Sequence, residues 1–276
     1  MHEARFRRIY PDERLLRGKA CGYSLRNLFY ILINQMFGGW LRDSGGLDFY
    51  ARFARGFWRV LALSFCNDRL AGSIVESGAN VTFINSVDWF VKWLKVHAKH
   101  DNDSSRVSVL MADLRTFSFL RNFDLVVMPS PMFSSLVTAE EQKMALRNIW
   151  NCLVRGGFLV FDLPVPNFRR IVRYAPRWRA LFVILGPKKE SFKIYWKRKF
   201  DLFSQLEELL FKFRFSSKTG RVRERLCKFC FRFFTRFEVE HLLESCGFKV
   251  VDVYGDFKGN QLNEESEDMI WIAKKT

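Results

Sequence analysis

Between Pro166 and Arg236 the chain sets 20 lysines and arginines against 5 acids. The cations cluster as Arg169-Arg170, Arg173, Lys188-Lys189, Lys197-Arg198-Lys199 and Arg221/Arg223/Arg225. Among them run Tyr174, Trp178, Phe192, Tyr195, Trp196, Phe213 and Phe215. Cations that neutralise phosphates, mixed with rings that stack on bases, make the chemistry of an RNA surface. The whole chain carries a net charge of +16, yet outside this segment 25 basic residues face 24 acidic ones. One segment therefore holds almost all of the excess. The plainer alternative is a solvated helical face with its rings turned inward, and Gln205 to Phe215 reads as such a helix. Because like charges repel, the concentration favours a polyanion: RNA, or failing that an acidic membrane or protein partner.

Cys227-Lys-Phe-Cys230, with His241 and Cys246, has a loose zinc-like spacing. His241 and Cys246 lie five apart on an expected helix, which does not put them on one face. Buried thiols fit better, and no metal is expected. Six cysteines without a dense framework suit a reducing compartment. The opening MHEARFRRIYPDERLL is arginine-rich but contains Glu3, Asp12 and Glu13, which leaves mitochondrial and cytoplasmic locations both open, and a secretory signal is absent.

These residues need a scaffold. At 276 residues and 49% hydrophobic content, with 30 phenylalanines, the chain can bury a large aromatic core. No apolar run approaches the roughly 20 residues of a membrane helix. The longest, Asn27 to Trp40, predicts a buried or amphipathic helix. From Trp58 onward strand and helix patterns alternate, as in a parallel α/β sheet. Strands are expected at Trp58–Leu63, Asn80–Ile84, Val107–Met111, Phe123–Met128 and Phe158–Asp162, with helices at Arg69–Ser77, Trp89–Lys99 and Thr138 to about Val154. Thr138 and Glu141 form a capping box, and Gly156-Gly157 should stop that helix. After the basic segment come a helix from Thr235 to Cys246 and two strands, Phe248–Tyr254 and Met269–Ala273. A last pair joined without a helix must run antiparallel. Four segments follow: an N-terminal helical extension (1–47), a Rossmann-like core (48–165), the basic insertion (166–233), and the final helix and strands (234–276). Asp162, at the carboxyl end of the fifth strand, is either a ligand contact or a loop cap.

The ordered motifs resemble the class I S-adenosylmethionine-dependent methyltransferases, especially the branch acting on small molecules and sugars. Arg155-Gly156-Gly157-Phe158-Leu159-Val160-Phe161-Asp162 is similar to that family's helix-to-strand turn. Phe123-Asp124-Leu125-Val126-Val127 is similar to its fourth strand, and Ala112-Asp113-Leu114-Arg115 to the stretch whose aspartate faces adenine. Phe234-Thr235, Leu242-Leu243, Cys246-Gly247-Phe248 and Tyr254-Gly255-Asp256-Phe257-Lys258-Gly259 complete the set. The resemblance implies a seven-stranded Rossmann-like sheet with one antiparallel strand. It also implies that S-adenosylmethionine, if any cofactor, would meet Ala62, Ser64, Cys66, Asp68, Asn85, Asp113 and Met128.

At those positions the family's acid and glycines are gone. Ala62 stands where the first strand should end in an acid, and Ser64, Cys66 and Asp68 replace three glycines. Asn85 replaces the acid that grips the ribose, and an amide offers one acceptor oxygen and no charge. Met128-Pro129-Ser130-Pro131-Met132-Phe133 occupies the family's substrate-lining position without a Tyr, His or Glu to act as base. The expectation is a methyltransferase fold with little or no catalysis, binding RNA within a ribonucleoprotein, as an assembly factor in an organelle. Two alternatives stand beside it. One is an active methyltransferase held together by Asp113, Asn85 and Ser64, acting on a small molecule or RNA. The other is a non-catalytic activating subunit of another methyltransferase.

Overall fold

A computed structural model describes residues 19–20, 23–24, 45–64, 68–85, 104–119, 123–185, 191–217 and 219–276. The helices expected at 27–40 and 89–99 lie outside the described residues, as do Cys66, Lys188 and Lys189. The chain divides into two compact units, one of residues 34–166 with 233–276, the other of residues 1–33 with 167–232.

The first unit is built on a seven-stranded sheet. Its strands are β1 (Arg59–Leu63), β2 (Asn80–Asn85), β3 (Val107–Met111), β4 (Phe123–Met128) and β5 (Leu153–Pro164). Next come β10 (Phe248–Tyr254) and β11 (Asp268–Lys275), numbered after four strands of the second unit. The order across the sheet is β10-β11-β5-β4-β1-β2-β3. β3, β2, β1, β4 and β5 pair in parallel, whereas β11 runs antiparallel to both β5 and β10. Strand β1 is apolar and buried from Val60 to Leu63, as a parallel strand covered on both faces must be.

The helices of this unit are α1 (Gly46–Ala54), α2 (Asp68–Glu76), α3 (Ala139–Cys152) and α5 (Arg236–Ser245). Helix α3 begins with the expected capping box, Thr138 accepting from the Glu141 amide while Glu141 reaches back to the Thr138 amide. It stops at Cys152 rather than near Val154, because β5 already starts at Leu153. The paired glycines therefore do different work from a helix stop. Phe123 pairs with Leu153 but Leu125 with Phe158, so the intervening residues bulge, and Gly156 takes φ 76° inside that bulge. A Cβ on Gly157 would sit 3.1 Å from the Asp124 carbonyl oxygen. The core packs Leu146 and Ile149 of α3 and Val239 and Leu243 of α5 against Phe161 and Trp271 of the sheet, all fully buried. Each such large side chain contributes about 2–3 kcal/mol.

The second unit is a four-stranded antiparallel sheet preceded by a short helix, α4 (Phe168–Val172). Its strands are β6 (Arg179–Leu185), β7 (Ser191–Asp201), β8 (Leu206–Ser216) and β9 (Val222–Arg232), in the order β9-β8-β7-β6. The helix expected over Gln205–Phe215 is a strand instead. Phe211-Lys212-Phe213-Arg214-Phe215 alternates strictly, and Leu209, Phe211 and Phe213 are buried while their neighbours are not. That is period two, and the tertiary pairing on both sides enforces it. Residues 19–20 and 23–24 of this unit form a two-residue antiparallel ladder. Among the described residues no helix is long and apolar enough to cross a membrane.

Candidate functional site

In an open α/β sheet, ligands gather where the parallel strands end. Ala62 and Ser64 at the tip of β1, Asn85 at the tip of β2 and Met128 at the tip of β4 are all buried. The Asn85 amide nitrogen donates to the Ser64 carbonyl oxygen at 3.0 Å, tying two strand tips together. Asp68 opens α2, and its side chain lies outside the described residues, so the loop expected to hold a cofactor is described only at its two ends.

Asp113 is engaged by its own neighbour. One carboxylate oxygen accepts from the Arg115 amide at 2.8 Å, the other from the Arg115 guanidinium at 2.7 Å. Arg115 also reaches Glu141 at 3.0 Å, the same glutamate that caps α3. The hydrogen bond to Asp113, above all, raises the Arg115 pKa further. The triad anchors the segment after β3 to the start of α3.

Asp162 of β5 is fully buried. It accepts from the Tyr50 hydroxyl at 2.5 Å and from the Ser130 amide at 3.2 Å. It thus acts as a cap for the Met128–Phe133 segment rather than standing open to solvent. Burial pushes its pKa up to about 7 against the pull of these donors. Two residues outside the sequence reading complete this cluster. Tyr50 comes from α1, which wedges Phe49 and Tyr50 against Phe257. Asp268 opens β11, two positions before the Ile270–Asp162 pair. Burial, then Asp162, then Glu267 push the Asp268 pKa up to about 7 as well. A carboxyl in that range accepts protons near neutrality, the property of a general base. Asp268 leads directly into the continuous apolar run of β11, buried from its first residue, and that position could have flagged it, as the amphipathic α1 could have flagged Tyr50.

In the inserted sheet, cross-strand register sorts the basic residues onto two faces. Lys212 pairs with Tyr195, Lys193 with Arg214, Lys197 with Leu210 and Lys199 with Glu208, so these share one face. Lys228, opposite Leu210, and Arg214 join it. Lys212 lies 4.7 Å and Lys197 5.9 Å from the centre of the Trp178 ring. Lys228 is paired with Glu208 and Arg214 with Glu224. Lys193, Lys197, Lys199 and Lys212 form no ion pair with a carboxylate among the described residues.

Arg198 falls on the other face, with Leu209 opposite, and binds Glu207 at 2.6 Å. Phe192 and Phe213 are buried on that face and cannot stack on a base there, and Phe215 packs on Phe192 at 4.7 Å. Arg223 and Arg225 share it too, exposed on β9, while Arg221 sits in the turn before that strand. Cys227 and Cys230 point to opposite faces of β9, three apart on a strand, so their spacing does not converge on an ion. Among the described residues no group of His, Cys, Asp and Glu is placed to hold a metal. Arg169, Arg170 and Arg173 line a groove of about 480 Å³ with Asn167, Tyr174, Ala175, Arg177 and Arg179. The sequence reading missed Lys193, Lys212, Arg177 and Arg179, whose places follow from strand register and turn geometry.

No family model and no curated protein sequence matches the chain. Solved structures do. A S-adenosylmethionine-dependent methyltransferase from Clostridium acetobutylicum is similar with TM-score 0.69 at 13% identity, over 91% of this chain and 98% of that one. The CcbJ methyltransferase from Streptomyces caelestis is similar with TM-score 0.66 at 17% identity, over 84% and 89%. CalS10, an amino pentose methyltransferase from Micromonospora echinaspora solved with S-adenosylmethionine bound, is similar with TM-score 0.58 at 16% identity, over 86% and 92%. With five parallel strands, a reversed β11 and these neighbours, the chain has the fold of the class I S-adenosylmethionine-dependent methyltransferases.

Proposed function

We propose that this chain uses the methyltransferase fold to bind RNA and no longer transfers methyl groups efficiently, serving as a ribonucleoprotein component or assembly factor in an organelle such as the mitochondrion. The observation that carries the reading is the lysine face of the inserted sheet, where Lys193, Lys197, Lys199 and Lys212 surround Tyr195 and Trp178 without counter-ions among the described residues. Point charges on flexible stems track a phosphate backbone, and the rings between them offer stacking platforms. The loss of methyl transfer is supported by the strand tips. At the ribose position the Asn85 amide nitrogen donates to the Ser64 carbonyl, and both Asp113 carboxylate oxygens accept from Arg115. These residues do not fit S-adenosylmethionine in the family's manner.

The test is binding of a single-stranded RNA at 50 and 200 mM salt, alongside calorimetric titration with S-adenosylmethionine. RNA affinity should fall steeply with salt, by about 300-fold if some six phosphates are contacted, with no heat from the cofactor. Affinity indifferent to salt would falsify the RNA reading.

A second reading, an active methyltransferase with an atypical cofactor loop, draws on the neighbours' bound S-adenosylmethionine and on the rim carboxyls Asp162 and Asp268. Micromolar cofactor binding in the same titration would favour it.

A further inference from the structure

The two cationic surfaces of the inserted unit are chemically unlike. The sheet face is made mostly of lysines on an extended ladder. The groove beside α4 is concave and contains five arginines, Arg169, Arg170, Arg173, Arg177 and Arg179, with no lysine and no acid in its lining. A guanidinium presents a rigid fork of donors that matches two oxygens of one phosphate, whereas an ammonium is a point charge indifferent to direction.

Local geometry holds the arginines close together. The Asn167 side chain caps α4 by accepting from the Arg170 amide at 2.9 Å. The Tyr174 ring packs edge-on against Phe200 at 5.5 Å, fixing the chain just past α4. Arg179 stands over Trp196 at 5.8 Å. Glu207 feels the charge of Arg170 but is ion-paired with Arg198 at 2.6 Å. Five like charges around one hollow repel one another unless an anion sits among them. At about 480 Å³ and open to solvent, the groove has room for a group of nucleotide size.

We propose that this groove binds a terminal phosphate monoester of an RNA strand, an inference that rests on the RNA reading above. A monoester carries about 1.5 to 2 negative charges and three free oxygens at neutral pH, whereas an interior diester carries one charge and exposes two oxygens. Arg179 pairs with Trp196, on the face away from the lysines, so the strand follows the lysine face and turns round the β6 edge to bring its end to the groove.

The experiment compares the full chain's affinity for one short RNA in three forms: 5′-phosphorylated, 3′-phosphorylated and with both ends as hydroxyls. One phosphorylated form should bind about tenfold more tightly than the hydroxyl form, and which one identifies the end. In Arg170→Ala/Arg173→Ala, both exposed residues, the preference should vanish, the phosphorylated form losing more affinity than the hydroxyl form. In Lys197→Glu/Lys212→Glu all three forms should weaken while the ratio survives. Equal affinity for the three forms in a protein that binds RNA overturns the inference and leaves the RNA reading standing. So does a preference that persists in the arginine variant. If no RNA binds, the RNA reading fails, and titration with adenosine monophosphate decides the groove: saturable binding lost in the arginine variant keeps a phosphate site, and no binding removes it.

Discussion

The rim of the core sheet and the inserted sheet handle charge in opposite ways. At the rim most charges are answered from within. Asp113 and Glu141 share Arg115, and Asp162 takes two donors from Tyr50 and Ser130. In the insertion, Lys193, Lys197, Lys199 and Lys212 have no carboxylate partner among the described residues, and five arginines gather around one groove. Internal pairing rigidifies; unpaired charge of one sign recruits something from outside. On the proposed reading, the fold keeps its architecture while its chemistry moves from the strand tips to the inserted surface.

The contrast breaks most visibly at the lysine face. Lys197→Glu/Lys212→Glu should lower RNA affinity on the order of 100-fold at low salt and cost only about 1 kcal/mol of stability, from the lost contacts with the Trp178 ring, since neither lysine holds an ion pair among the described residues. Unchanged affinity would move the recruiting surface elsewhere.

At the strand tips Asn85→Asp tests whether the site has been rewired. The new carboxylate would face the Ser64 carbonyl that the amide now serves, so denaturation should show a loss of about 2 kcal/mol at pH 7. A variant of full stability that gained S-adenosylmethionine binding would show instead that the site is one substitution from function.

The rim carboxyls give a pH signature. Both Asp162 and Asp268 have pKa values raised to about 7, chiefly by burial, so the native state binds their protons more tightly than the unfolded chain does. Their stabilisation is present below about pH 4, the ordinary carboxyl value, and is lost as pH rises through 7. Asp268→Asn should therefore unfold about 1–2 kcal/mol later than the parent at pH 8 and nearly with it at pH 4. Parallel curves at the two pH values would mean that Asp268 is solvated.

Arg198→Ala sharpens the division between the two faces of the insertion. It should cost about 1 kcal/mol of stability, through the stranded Glu207, and shift RNA affinity by less than about twofold. A larger affinity loss would merge the faces.

Much of the core was legible in the chain. The apolar runs of β1 and β4 and the capping box of α3 each carry their own signal, and the absence of a helix between β10 and β11 forces a reversal. Leu206–Ser216 was not, since Gln205 to Phe215 offers both a helical charge stripe and a strict alternation, and the pairing with β7 and β9 chooses between them. The contrast between Arg198 and Lys199 was equally hidden, because adjacent cations on a strand face opposite ways and the sequence lists them as one cluster. Tyr50 and Asp162 meet across 112 positions, a separation no local pattern reports.

Strand β9 ends the inserted sheet among the described strands, and Val222, Arg223, Glu224 and Arg225 along it are exposed. An open edge with unpaired amides and carbonyls invites a second copy to zip on. Two such edges meeting in register would set guanidinium against guanidinium. The repulsion between them opposes that pairing while the surface is empty. Clumping is expected where a polyanion neutralises that edge, so the protein should be least soluble near charge equivalence and dissolve again on either side of it.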